Sequence, residues 1–194
     1  SKHIEKIDLL NLFNSESISK EDLKRQKSYS ANAKFQLEKT NSIDIEHYLL
    51  SMNMKCKISD LNKENINRVY QMQMKTNQFN LTTKRVTNKD IIEKIRNNKT
   101  TNLTICLEDK FTDHGLISYL EYEMRGKELI INDWLMSCRV FSRTLEEYII
   151  KIISKKASDK CKEFITINYI ETNKNLIMRD ILKKLGFSYN SKRN

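Results

Sequence analysis

The chain has 194 residues, no proline and only three glycines. Collagen-like and flexible-linker readings are therefore excluded. The four cysteines (Cys56, Cys106, Cys138, Cys161) are scattered, with no C-x-x-C pair. Neither a zinc site nor a disulfide framework is indicated, so no metal is expected. The thiols read as reduced, as in a cytoplasmic protein. No apolar run is long enough to span a bilayer and no signal-peptide pattern follows Ser1, so no membrane role is expected.

What the chain does have is positive charge. There are 35 Lys and Arg against 25 Asp and Glu, a formal net charge of +10. Such an excess serves nucleic acid, an acidic protein partner, or solubility alone. Lys far outnumbers Arg, and Asn and Ile are abundant, as an AT-rich coding sequence would give. No basic helix or aromatic-plus-basic RNA motif accompanies the charge, so nucleic acid is the least favoured partner. Hydrophobic residues make up 39%, enough for the core of one domain.

Periodicity divides the chain near residue 54. Residues 1–53 are polar and read as a helical extension, either packed on the main domain or a linker. Ser19-x-x-Asp22 looks like a helix start, and Ile43, Ile45, Tyr48, Leu49 and Met52 form a short amphipathic stretch. Residues 54–194 read as β α α β β β α β α. The strands are Lys55–Ser59, Leu103–Leu107, Leu116–Glu123, Glu128–Ser137 and Phe164–Ile170. A helix opening at Asn62 turns Ile66, Val69, Tyr70, Met72 and Met74 inward. A short one spans Asn88–Asn97. A long one from about Ser142 to Ser158 buries Leu145, Tyr148, Ile149, Ile152 and Ile153, and the last, Leu176–Leu185, stops at Gly186. Antiparallel strands followed by a strand–helix–strand crossover give an α/β, mixed and mostly antiparallel sheet with helices on both faces.

The densest chemical signal is Ile130–Thr144, IINDWLMSCRVFSRT. A buried strand ends at Ser137-Cys138-Arg139, just ahead of a helix. Unpaired N–H groups and the dipole at a helix start favour an anion and a thiolate. By spacing alone Cys138 is a small buried hydrophobe, the usual fate of such a residue. Arg139 and Arg143 are either anion clamps or solvated helix-start residues.

The order of elements resembles the GNAT acyltransferase fold. Four segments narrow the likeness to the C-terminal half of FkbH-like glyceryl-transferase/phosphatase proteins. They are Thr76-Asn77-Gln78-Phe79-Asn80-Leu81-Thr82-Thr83, Asp109-Lys110-Phe111-x-Asp113-x-Gly115-Leu116, Leu135-Met136-Ser137-Cys138-Arg139-Val140, and Thr172-Asn173-Lys174-Asn175 with Leu185-Gly186-Phe187. The resemblance implies acyl or glyceryl transfer to or from an acyl carrier protein thiol, through a thioester on Cys138. In that family the phosphatase step belongs to a HAD domain with an Asp-x-Asp-x-Thr motif. That motif is absent here, so a phosphatase partner would lie elsewhere on the same chain or on another one. Two further readings stay open: a catalytically inactive module that binds a carrier protein or partner enzyme, and an acetyl-CoA-dependent N-acetyltransferase.

The same resemblance assigns the pyrophosphate turn to Arg139, Ser142, Arg143 and Thr144. Ser142 and Thr144 stand where the motif carries glycines that let a pyrophosphate approach the backbone. Coenzyme A is thereby disfavoured relative to the phosphopantetheine arm of a carrier protein. Asn77, Gln78 and Asn80 line the acyl site or serve the turn; Asn173 and Asn175 contact pantetheine or cap a helix. A hairpin centred near Gly126 would pair residues whose numbers sum to about 252. His114 would then face Cys138 with Asp113 beside it, a thiol, a base and an orienting carboxylate. The alternative makes His114 a surface residue of the turn before Gly115.

Overall fold

The computed structural model describes residues 20–97 and 99–189. Ser19 lies outside them. Two helices open the described part, α1 (Lys20–Asn41) and α2 (Ile45–Ser51), followed by β1 (Lys55–Asp60), α3 (Ile66–Lys75) and α4 (Asn88–Arg96). Next come β2 (Thr100–Glu108), β3 (Asp113–Arg125), β4 (Glu128–Met136), a single 3₁₀ turn at Cys138–Val140, α5 (Leu145–Asp159), β5 (Phe164–Ile167) and α6 (Leu176–Lys184). The strands lie in chain order in one sheet. β1 to β4 are antiparallel, and the α5 crossover brings β5 parallel to β4. This is the expected mixed sheet.

Neighbouring residues of a strand face opposite sides, and β4 serves two cores in this way. Trp134 and Met136 pack with Leu145, Ile149 and Ile153 of α5 and Met178 and Leu182 of α6. Leu135, together with Leu116 and Tyr119 of β3, packs with Ile66, Val69 and Met72 of α3 and Ile91 of α4. Both faces of the central strands are thus covered, which is why β3 and β4 read as almost continuous apolar runs rather than as an alternation. α1 buries a single narrow stripe, Ser28, Ala31 and Phe35. Phe35 meets Tyr48 and Met52 in a third, small cluster. The Lys110 N–H donates to Met52 O, which ties this hairpin to the β2–β3 loop.

Local chemistry sets the boundaries. Thr87 and Asp90 form a reciprocal capping box that starts α4. Asn62 does not open α3; its carboxamide accepts from the N–H groups of Glu64 and Asn65, and the helix begins at Ile66. α5 begins at Leu145 rather than Ser142 because Ser142 and Thr144 adopt positive φ, +66° and +57°. The helix phase follows Leu145, Ile149 and Ile153, so Tyr148 is exposed and Glu146 is buried in its place. Met74, expected inward on α3, is likewise exposed while Gln73 is buried. Gly186, at φ +87°, follows the end of α6, as its position predicts.

Candidate functional site

β3 and β4 turn at Gly126, with Arg125 opposite Glu128. This register is one residue beyond the expected pairing. A bulge between Glu121 and Tyr122 adds another residue, so Ser118 faces Met136. His114 therefore does not lie opposite Cys138. Asp113 and His114, being adjacent on a strand, also point to opposite faces. Asp113 is exposed, pairs with Lys24 at 3.0 Å and accepts from the Gly115 N–H at 2.8 Å. The expected Cys138–His114–Asp113 constellation is not assembled.

His114 instead belongs to a buried cluster centred on Asp109. Its Nε2 donates to Asp109 Oδ2 at 2.9 Å, and its Nδ1 shares a 2.5 Å hydrogen bond with Ser28 Oγ of α1. The same Asp109 oxygen accepts from Arg143 Nε at 3.2 Å, while Oδ1 accepts from the N–H groups of Phe111 and Thr112. Burial alone would raise the Asp109 pKa. The His114 hydrogen bond, the Phe111 N–H and the Arg143 charge outweigh it and bring the pKa to about 2. Arg143 also donates through Nη1 to Asn32 Oδ1 and Arg139 O, and its guanidinium sits 4.0 Å from the Phe35 ring centroid. It is not a cofactor clamp. Its charge sits next to a helix start because Asp109 compensates it there, and its bond to Arg139 O fixes the turn that carries Cys138. Asp109 lies inside a quoted motif but carried no assigned role. An acid two and three residues ahead of N–H groups it can cap was the available signal.

Cys138 is exposed and opens into a cavity of about 350 Å³ between α1, α3 and the Cys138–Val140 turn. Of the residues proposed from sequence, Cys138, Arg139, Asn77 and Gln78 all line it. Arg25 and Tyr29 of α1 and Arg68 and Lys75 of α3 join them, and among the described residues no carboxylate lines the wall. Arg139 is 2% exposed, and its Nε donates to Ser137 Oγ at 3.0 Å. These cations give the lining a positive character of the kind that suits an anion. Arg25 and Tyr29 were not foreseen, because α1 shows no strong periodicity to aim them. None of the other described cysteines lines this cavity, and none of the four is in a disulfide. Asn77 Oδ1 accepts from Arg85 Nη2 at 2.8 Å, and Gln78 is exposed at the rim.

The remaining candidates do other work. Asn80 is fully buried behind the cavity; it donates to Thr76 O and accepts from the N–H groups of Thr82 and Thr83. Asn175, also fully buried, accepts from the Thr172 N–H and donates to Asn80 O and Ile170 O. It precedes α6 without capping it through its side chain. Asn173 is exposed and outside the cavity. Ser142 is exposed, with its carbonyl accepting from Lys39 Nζ, and the Thr144 hydroxyl donates to Arg143 O. Among the described residues, no cluster of His, Cys, Asp and Glu has the makings of a metal site, and no helix is long and apolar enough to cross a membrane.

No protein-family model matches the chain, and no curated protein is recognisably similar to it. Solved structures do match. A domain from Methanocaldococcus jannaschii superposes with a TM-score of 0.58 at 10% identity, over 72% of this chain and 92% of that one. A ribosomal-protein-alanine N-acetyltransferase from Brucella melitensis gives 0.56 at 8% identity, over 72% and 97%. An aminoglycoside N-acetyltransferase in complex with CoA gives 0.52 at 9%, over 73% and 93%. The fold is GNAT-like. At these identities the likeness concerns the fold alone. Within this GNAT-like frame the Cys138 cavity opens at the end of β4, where β4 runs past its short pairing with β5.

The fit of coenzyme A can be tested against the turn ahead of α5. Ser142 and Thr144 fill the two places where glycine would leave the backbone open, and the first turn of α5 carries Glu146 and Glu147. A pyrophosphate there would meet side chains and like charge. This turn therefore lacks the two glycines of an open pyrophosphate loop.

Proposed function

We propose that the chain is an acyl-transfer domain in which Cys138 accepts an acyl or glyceryl group as a thioester and passes it to the pantetheine thiol of an acyl carrier protein. The observation that carries this reading is the exposed Cys138 thiol in a cavity that Arg25, Arg68, Lys75 and Arg139 also line. The family resemblance of the Leu135–Val140 segment agrees with it. The Cys138 thiolate adds to the carbonyl carbon of the incoming thioester. The C–S bond to the carrier breaks, and the carrier thiolate leaves and takes up a proton from solvent. The reverse sequence reloads a carrier. No histidine or carboxylate of the described residues lines the cavity with the thiol, and its cationic lining would stabilise the oxyanion formed on attack. The same wall suits the acidic surface of a carrier protein. Any phosphatase step belongs to a HAD domain elsewhere.

One observation favours a second reading, a module that only docks a carrier protein or partner enzyme. His114, the base that the sequence offered, has both ring nitrogens committed to Ser28 and Asp109. An acetyl-CoA-dependent N-acetyltransferase, the activity named for the fold neighbours, is disfavoured by the turn ahead of α5.

Intact-protein mass spectrometry separates these readings. The chain is incubated with a glyceryl-loaded carrier protein, alongside Cys138→Ala. A covalent adduct on the wild type alone is the expected result. An adduct on both proteins rules out Cys138 as the acceptor, and an adduct on neither, with carrier still captured in a pull-down, leaves the docking module.

A further inference from the structure

β5 pairs with β4 only over Glu128–Ile131, and the last bond of that edge is Asn168 N–H to Ile131 O. Beyond it, the outer edge of β4 from Trp134 to Met136 would present open backbone groups beside Cys138. An extended ligand rich in amides, such as a pantetheine arm, pairs naturally with such an edge. In this chain the place is taken. The Leu81 N–H donates to Trp134 O at 3.2 Å, and the Met136 N–H donates to Phe79 O at 3.1 Å, an antiparallel bridge centred on Asn80 and Leu135.

The segment is anchored on its far side as well. The Ile170 N–H donates to Leu81 O at 2.9 Å, and Asn175 Nδ2 donates to Asn80 O at 2.9 Å. Phe79 and Leu81 are both fully buried, and the Phe79 ring meets Trp134 edge-on with centroids 4.9 Å apart. Displacing the segment would break these four hydrogen bonds and expose two apolar side chains. A ligand amide pairing with β4 would restore only the bonds to Trp134 and Met136. The exchange is unfavourable on both counts.

We propose that Phe79-Asn80-Leu81 is a built-in strand that permanently closes the outer edge of β4, so that an acyl-bearing arm reaches Cys138 only through the cavity between α1 and α3. This deepens the acyl-transfer reading and rests on it for the identity of the arm. It also makes the segment a specificity device. A free coenzyme A finds neither an edge to pair with nor an open turn at α5, whereas an arm held by a docked carrier protein needs only the cavity.

The test uses a pantetheine arm attached without acyl transfer, so that its outcome is independent of whether Cys138 carries acyl groups. The Cys161→Ser chain is treated with pantetheine 2-pyridyl disulfide. The Cys138 thiolate attacks the pantetheine sulfur, a mixed disulfide forms and 2-thiopyridone leaves. Amide hydrogen exchange is then followed by NMR. The expected result is that the Leu81 and Met136 amides keep their exchange rates within about twofold, while the signals of Tyr29, Asn77 and Gln78 shift. A rise in exchange of a hundredfold or more at Leu81 and Met136 would show the arm displacing the segment and would overturn the proposal. Failure of Cys138 to label would overturn it equally, because the cavity route would then be closed.

Discussion

The Arg143 guanidinium and the Asp109 carboxylate meet 3.2 Å apart with both side chains fully buried. Through them three distant stretches become one unit. Asp109 holds the β2–β3 loop, Arg143 holds the carbonyl of Arg139 beside Cys138, and Ser28, Asn32 and Phe35 bring in α1. The turn that carries the thiol is therefore held by groups outside the cavity lining.

Breaking this pair by removing one charge leaves the other buried and uncompensated. Asp109→Asn is expected to destabilise the fold by about 3–5 kcal/mol, read by urea denaturation at neutral pH. A loss below about 1 kcal/mol would mean that the cluster does not organise the site. Lys24→Ala, which removes the exposed partner of Asp113, is the control and is expected to change stability by no more than about 0.5 kcal/mol.

The same carboxylate sets an acid limit. Its pKa falls from 3.8 in the unfolded chain to about 2 in the folded one, so the folded state holds its proton less tightly. The stabilisation is fully present above pH 3.8 and is lost as the pH falls toward 2. Thermal melts between pH 5 and pH 2 are expected to show a Tm that declines most steeply in that interval. In Asp109→Asn the decline is expected to be shallower. An unchanged slope in the variant would assign the acid sensitivity to other carboxylates.

Much of this architecture was legible in the sequence, and the gaps have physical causes. Strand order, the two-faced sheet and the αL stop at Gly186 follow from periodicity and turn chemistry. Of the acyl-site candidates, Asn77 and Gln78 line one cavity with Cys138 and the turn residue Arg139, whereas Asn80 does not line it. The proposed Cys138–His114 pairing failed because the turn register lies one residue beyond the symmetric one, and a bulge at Glu121/Tyr122, which leaves no mark in residue types, moves every later partner by one more. Arg143 was open to two readings, an anion clamp or a solvated helix-start residue, and its pairing with Asp109 fits neither, since burial of a charge depends on a partner 34 positions away. Among the described side chains of α1 the buried stripe is Ser28, Ala31 and Phe35, too narrow to announce a packed helix.

Asn175 and Asn173 offer a sharp contrast within one motif. Asn175 bonds to the backbone of Asn80, Ile170 and Thr172 from a fully buried position. Its replacement by Ala strands several of those groups and is expected to destabilise by about 1–3 kcal/mol. Asn173→Ala is expected to stay within about 0.5 kcal/mol of wild type. A direct role for Asn173 in holding a pantetheine arm would appear as weaker carrier capture by a fully stable Asn173→Ala protein.

Ser142 and Thr144 hold positive φ without being glycine, a conformation that disfavours a residue with a Cβ by about 1–2 kcal/mol. Local bonds support it: Lys39 reaches Ser142 O, and the Thr144 hydroxyl donates to Arg143 O. Glycine at either place removes the steric term but widens the unfolded ensemble. The net gain expected for Ser142→Gly or Thr144→Gly is therefore modest, up to about 1 kcal/mol each in chemical denaturation. The double variant also tests whether these two side chains keep coenzyme A out. Because Glu146 and Glu147 remain in the first turn of α5 and Phe79–Leu81 remains on β4, saturating acetyl-CoA is expected to leave its Tm unmoved. A ligand that bound the folded state alone would raise it. A clear rise in the glycine variant, absent in the wild type, would show that two side chains alone had closed an otherwise competent coenzyme A site, and would restore the N-acetyltransferase reading.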